Sequence, residues 1–175
     1  MNDKHLHPHR HPHSEIEKRV DLAHQRSVGA PLNSEVRLTL LVKHNAWLLS
    51  DLLNRTVEPF GISGVGYVAM MTLQSTPENL ANPSELCTAT GETRSNMTRI
   101  TDELVAKGLI KRVANEEDRR RVDLSLTEEG MQLLRQVVPE LRKKTQAVFS
   151  VFNDETKVAF EGELIKLKQV LESQY

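Results

Sequence analysis

Two clusters of residues carry hydrogen-bond donors and charge at spacings that could act on a partner. The first is Thr93-Arg94-Ser95-Asn96-Met97-Thr98-Arg99. Met97, Ile100, Leu104 and Val105 recur at three- and four-residue spacing, so the segment predicts a helix with one apolar stripe. Its other face carries Arg94, Ser95, Asn96, Thr98 and Arg99. Arginines and short polar side chains at a helix N-terminal end are what reading base edges in a DNA major groove requires. The second cluster is Arg119-Arg120-Arg121, preceded by Asp118. Three consecutive arginines at a hairpin tip suit phosphate, or the narrow, electronegative minor groove of A·T-rich DNA. Asp118 is expected to pair with one of them and hold the tip in shape. A third group, His5, His7, His9, His11 and His13, alternates with Lys4, Pro8, Arg10 and Pro12. Alternate histidines can chelate nickel, copper or zinc. The same run is also polar chain with little to bury, expected to be a disordered tail over residues 1–14.

The first cluster needs a frame, and the flanking residues supply one. Asn82 is a good helix N-cap and Pro83 suits the first helical position, where its missing N–H is no loss. Leu86 and Ala89 then face inward together. Gly91 falls where a helix ends in the left-handed conformation, and Thr93 caps the next helix, which Gly108 closes. Ser84, near the start of the shorter helix, joins Thr93 as a candidate contact. The run 109–113 predicts a strand. Val122-Asp123-Leu124-Ser125-Leu126 alternates apolar and polar with period two, as a half-buried strand does. Two helices about a tight glycine turn, followed by a charged two-stranded ribbon, predict a winged helix-turn-helix.

Elsewhere the pattern is helical. Glu15 to Arg26 predicts a helix through Ile16, Val20 and Ala23. Ser34 is read as the cap of a long helix with Val36, Leu40, Leu41, His44, Trp47, Leu48, Leu52 and Val57 along its apolar stripe. Ser63 caps a helix running to about Gln74 that carries Tyr67, Met70 and Met71, and 75–81 is read as a loop. Thr127 caps the helix after the ribbon, with Glu128 and Glu129 favourable at its positive end. Met131, Leu134, Val138, Leu141 and Val148 continue its stripe, and Pro139 is expected to kink or interrupt it. On the last helix, begun by Asn153-Asp154, Phe160, Leu164, Leu167 and Leu171 step by four, three and four. So narrow a seam on a terminal helix wants a partner, and residues 16–57 and 141–173 are read as a homodimer interface. The expected fold is mainly α with a small β-wing. Residues 15–57 are N-terminal dimerisation helices, 58–127 a winged helix-turn-helix lobe, and 128–175 C-terminal dimerisation helices.

Composition narrows the function classes. Net charge is −1 over 175 residues, so overall charge does not advertise nucleic acid. From Gly91 to Leu126 eight basic residues meet seven acidic ones; placement matters there more than excess. One cysteine, Cys87, rules out an internal disulfide and fits a reducing cytoplasm. Beside Leu86, with no resolving partner, it reads as structural rather than as a redox sensor. No apolar run approaches a membrane span, so a soluble, cytoplasmic chain is expected. No phosphate loop, nucleophile–base arrangement or metal-ligand spacing stands outside the histidine run, so neither an enzyme nor a bound cofactor is expected.

The run Thr93-Arg94-Ser95-Asn96-Met97-Thr98-Arg99-Ile100-Thr101-Asp102-Glu103-Leu104, the Gly108 turn, the wing Asp118-Arg119-Arg120 and the closing Leu126-Thr127-Glu128-Glu129-Gly130 together resemble the MarR family of bacterial repressors, and within it the EmrR/MprA-like branch. The resemblance covers roughly residues 35–172, a single MarR-type domain over 34–173. It implies a homodimer that binds double-stranded operator DNA and releases it on binding a small effector, usually a phenol or aromatic acid. It also implies an effector cavity between the first long helix, the helix after Ser63 and the helix after the wing. His44, Trp47, Tyr67, Met70 and Met71 are the candidate effector contacts. Tyr67, Met70 and Met71 suit an ordinary core just as well, and His44 reads more readily as a satisfied core histidine and Trp47 as core packing. A metal-responsive repressor using the histidines, and a winged helix that binds protein rather than DNA, are the alternative readings.

Overall fold

The structure, a computed structural model, describes residues 13–29, 33–76, 79–115 and 122–174. The tail histidines His5, His7, His9 and His11, and the wing tip with Asp118, Arg119, Arg120 and Arg121, lie outside the described residues; His13 opens the first helix.

The chain divides into two units, residues 1–51 and 52–175. The first holds helix α1 (His13–Val28) and most of α2 (Ser34–Val57). Asn33, not Ser34, caps α2: its Oδ1 accepts from the Val36 N–H at 3.0 Å. Trp47 stacks obliquely on His44, ring centroids 5.7 Å apart, yet it is 58% exposed, which corrects its reading as core packing. The reason is the breadth of the apolar arc on α2. Leu38, Val42, Leu48 and Leu49 are also exposed, so the helix offers apolar side chains in more directions than the chain covers.

The second unit takes in the end of α2, residues 52–57, and continues with a single 3-10 turn, Glu58–Phe60. Then follow α3 (Gly64–Ser75), β1 (Leu80–Ala81), α4 (Pro83–Thr90), α5 (Arg94–Ala106), β2 (Ile110–Ala114), β3 (Val122–Leu126), α6 (Glu128–Phe149) and α7 (Asp154–Glu172). The strands form one antiparallel sheet in the order β1-β3-β2, with Ile110 opposite Leu126 and Leu80 opposite Ser125. The sheet thus has three strands where the sequence predicted a two-stranded ribbon, because 80–81 pairs with β3 instead of remaining loop. Strand β2 starts at Ile110, one residue later than expected; Leu109 is taken up in the turn.

The core of this unit gathers α3, α4, α5, the sheet and the first half of α6. Met70, Leu73, Leu86, Met97, Ile110, Leu124, Leu134 and Val137 are fully buried. Val137 takes the place predicted for Val138, which is exposed. Helix α6 runs through Pro139 without interruption. The proline removes one N–H, freeing the carbonyl four residues back at Arg135. Both residues are exposed, so water can take that carbonyl. No helix among the described residues is long and apolar enough to cross a membrane.

Candidate nucleic-acid interface

The helix-turn-helix is built by caps. Asn82 Oδ1 accepts from the backbone N–H of Ser84 (2.9 Å) and Glu85 (3.1 Å), and the Glu85 carboxylate returns the bond to the Asn82 N–H at 2.8 Å. This reciprocal pairing satisfies otherwise orphaned donors at the start of α4. At its end Gly91 adopts φ +71° and its N–H returns to the Cys87 carbonyl. Thr93 Oγ1 then accepts from Asn96 N–H at 3.3 Å and starts α5. Leu86 from α4 and Met97, Ile100, Thr101 and Leu104 from α5 are buried, which fixes the polar face of α5 outward.

On that face Arg94, Ser95, Thr98 and Arg99 are exposed, as are Ser84 and Thr93. Asn96 is half-buried, its amide donating to Glu92 and accepting from Arg99. The exposed candidates are therefore Ser84 on α4, Thr93 at the cap, and Arg94, Ser95, Thr98 and Arg99 on the polar face of α5, with Asn96 half-buried among them. Helix α5, 13 residues long, spans about 20 Å, enough to lie across a major groove.

Four contacts that sequence reading passed over brace α5, two within the helix and its cap and two to its neighbours. Asp102 is ion-paired with Arg112 on β2, tying the helix to the wing. Glu103 lies 2.6 Å from Lys107 Nζ and 3.8 Å from Arg99. Lys107 Nζ also donates to the Gly61 carbonyl, at the turn before α3. The hydrogen bond from Lys107, with the charges of Lys107 and Arg99, holds the Glu103 carboxyl below the usual carboxylate range. The Arg99–Glu103–Lys107 spacing was visible as an i, i+4 series. The Asp102–Arg112 pair is not local and had no signal in the sequence.

The proposed effector residues fall on both units. His44 and Trp47 are on α2 in the first unit. Tyr67, Met70 and Met71 are on α3 in the second, Tyr67 and Met70 buried in its core and Met71 packed against it. Burial raises the pKa of the Tyr67 hydroxyl. Cys87 is half-buried against the same core. Among the described residues no group of three or more His, Cys, Asp or Glu side chains could hold a metal. A separate open groove of about 310 Å³ lies between the end of α6 and α7, lined by Phe149, Lys157, Phe160, Leu164 and Lys168 among others.

A helix-turn-helix with an exposed polar second helix, followed by a β-wing, defines a winged-helix nucleic-acid-binding protein. Residues 60–121 match the MarR family. The chain is 35% identical over 127 residues to the transcriptional repressor MprA of Escherichia coli, covering 73% of this chain and 72% of that one. Sco3205 of Streptomyces coelicolor, a MarR family regulator solved in complex with DNA, superposes with a TM-score of 0.70 at 26% identity, over 80% of this chain and 89% of that one. BpsR of Bordetella bronchiseptica, whose DNA binding is regulated by 6-hydroxynicotinic acid, gives a TM-score of 0.69 at 20% identity, over 79% and 98%. The chain belongs to the MarR family: it is a winged-helix transcriptional regulator of the MprA-like branch, not an enzyme.

Proposed function

We propose that the chain represses transcription as a homodimer on a pseudo-palindromic operator and that a small aromatic acid or phenol releases it. The observation that carries the DNA reading is the outward face of α5, where Arg94, Ser95, Thr98 and Arg99 stand exposed together. In this reading they meet base edges, Ser84 and Thr93 meet backbone phosphates, and the wing arginines Arg119, Arg120 and Arg121 reach the flanking minor groove. The MprA relative is a repressor and Sco3205 was solved with DNA; both support the assignment.

The dimer reading is supported by α7. Phe160, Leu164, Leu167 and Leu171, the predicted seam, are all exposed in the single chain, and so are Val158, Ile165 and Val170. Apolar surface on that scale marks an interaction site. Residues 15–57 and 128–175 are the dimerisation helices, and 58–127 the DNA-binding lobe. Two copies related by a two-fold axis would set their recognition helices about 34–36 Å apart, one helical turn of DNA. The effector reading keeps His44 and Trp47 on α2, and Tyr67, Met70 and Met71 on α3, as candidate contacts, and BpsR supports the aromatic-acid class. An effector that binds a different lobe spacing weakens DNA binding, and DNA must weaken effector binding by the same factor.

Two titrations test this. Binding to duplex DNA should weaken steeply with salt, log K falling by about 0.9 per phosphate neutralised for each decade; a flat response would remove the DNA reading. Thermal unfolding with benzoates, salicylates, nicotinates and cinnamates should single out one class. A ligand at 100 times its dissociation constant stabilises by about 2.7 kcal/mol. No shift with any of them would remove the aromatic effector and leave the repressor.

A further inference from the structure

Glu92, just ahead of α5, and Asn96 and Arg99 on it are joined in series. Asn96 Nδ2 donates to Glu92 Oε2 at 2.7 Å. Asn96 Oδ1 accepts from Arg99 Nε at 3.3 Å and from Arg99 Nη2 at 3.1 Å. The orientation of the amide follows from its neighbours: a carboxylate only accepts and a guanidinium only donates, so the reversed amide would face two mismatches. Glu92 and Asn96 are half-buried, whereas the Arg99 side chain is 68% exposed.

Two consequences follow. Asn96, by residue type a candidate for the bidentate contact to adenine, has both ends of its amide committed within the chain. Arg99 is gripped along one edge, Nε with Nη2, which leaves its outer edge, Nη1 with Nη2, directed away from that grip. Glu103 Oε2, at 3.8 Å from Nη1, is too distant for a hydrogen bond. Two parallel N–H groups on an oriented guanidinium match the O6 and N7 acceptors of guanine. A free arginine would lose several rotatable bonds on making that contact; one already held loses less.

We propose that Arg99 reads a guanine in each operator half-site through its outer edge, and that Glu92 and Asn96 are positioning residues that aim it. The proposal rests on the DNA-reading assignment above and adds which base is read and how. Glu92 then has two opposed effects: its charge repels phosphate, while its grip on Asn96 sharpens discrimination.

The test is selection of binding sites from a random duplex library by the full-length protein, with Arg99→Ala, Asn96→Ala, Glu92→Ala and Glu92→Gln beside the wild type, each checked by circular dichroism. The wild type is expected to select a guanine in each half-site. Arg99→Ala should flatten that position alone, by about tenfold or more in relative affinity. Glu92→Ala should lower guanine discrimination severalfold while raising affinity for random duplex, a divergence that a merely structural defect does not produce. Glu92→Gln, whose amide oxygen still accepts from Asn96, should keep the discrimination and gain the general affinity. Unchanged discrimination in Glu92→Ala, or equal loss in Glu92→Gln, overturns the relay. If Arg99→Ala instead weakens all duplexes alike and lowers the salt slope by about one, Arg99 is a phosphate clamp and the proposal fails with the DNA reading intact. A wild type that selects nothing removes that reading itself.

Discussion

Gly130 and Leu109 approach so closely that a β-carbon on Gly130 would lie 2.2 Å from the Leu109 carbonyl oxygen. The same carbonyl accepts from the Thr127 N–H at 3.1 Å, and Thr127 Oγ1 lies 2.7 Å from the Gly108 carbonyl and accepts from the Gly130 N–H at 3.0 Å. The Leu-Thr-x-x-Gly run is therefore a clasp between the exit of α5 and the start of α6. Threonine supplies the cap and the hydroxyl; glycine supplies the space. Backbone blocks the β-carbon, and backbone cannot rotate aside, so Gly130→Ala should destabilise by about 3 kcal/mol. Denaturant unfolding measures it. A loss under about 1 kcal/mol would mean the clasp yields without strain.

The pair of Asp102 with Arg112 joins recognition helix and wing, yet both side chains are about half exposed. An exposed pair contributes about 0–1 kcal/mol. A double-mutant cycle of Asp102→Ala with Arg112→Ala should return a coupling inside that range. The larger effect should be on DNA. Without Asp102, Arg112 is free to neutralise a phosphate, and the salt slope of duplex binding should steepen by about one ion. An unchanged slope would leave Arg112 outside the interface.

How much of this could be read from the chain alone depends on distance along it. Asn82, Gly91, Thr93, Gly108, Thr127 and Asn153 all do what their types and neighbours predict, because a cap or a left-handed turn is satisfied within four residues. The stripe of Met97, Ile100 and Leu104 was legible for the same reason. Strand β1 was not: Leu80 and Ala81 become a strand only by pairing with Ser125 and Leu124, and two residues carry no periodicity. Val137 and Val138 are equivalent in the sequence, and only the packing of α6 on the core separates them. Asn96 shows the same limit within the site. Its type suited base reading, but Glu92, four residues back and unremarked, together with Arg99 engages its amide within the chain.

Glu103 carries a pH signature. Its pKa is held low by the hydrogen bond from Lys107 and by the charges of Lys107 and Arg99. A depressed carboxylate stabilises the fold above its unfolded pKa and loses that contribution as pH falls through the folded value. The stability gap between wild type and Glu103→Gln should therefore be present at neutral pH and close in acid. Because the pair is solvent-exposed, the gap should stay below about 1 kcal/mol. A gap that widens on acidification would contradict the assigned direction.

The exposed face of α7 gives the most decisive prediction for the proposed homodimer. Leu164 and Leu167 sit mid-helix in the Phe160–Leu171 seam, partly exposed in the single chain and outside its core, so a charge there does not enter that core. Burial of a charge against a second copy, by contrast, is costly without a partner for it. Leu164→Glu with Leu167→Glu should halve the mass seen by light scattering while helix content stays near that of the wild type. Thermal stability of the wild type should rise with protein concentration, as for any linked association, and the variant should lose that dependence. Operator affinity should fall with it, since one recognition helix then engages one half-site without its neighbour. A double variant that keeps the mass and the affinity of the wild type would exclude α7 as the dimer seam.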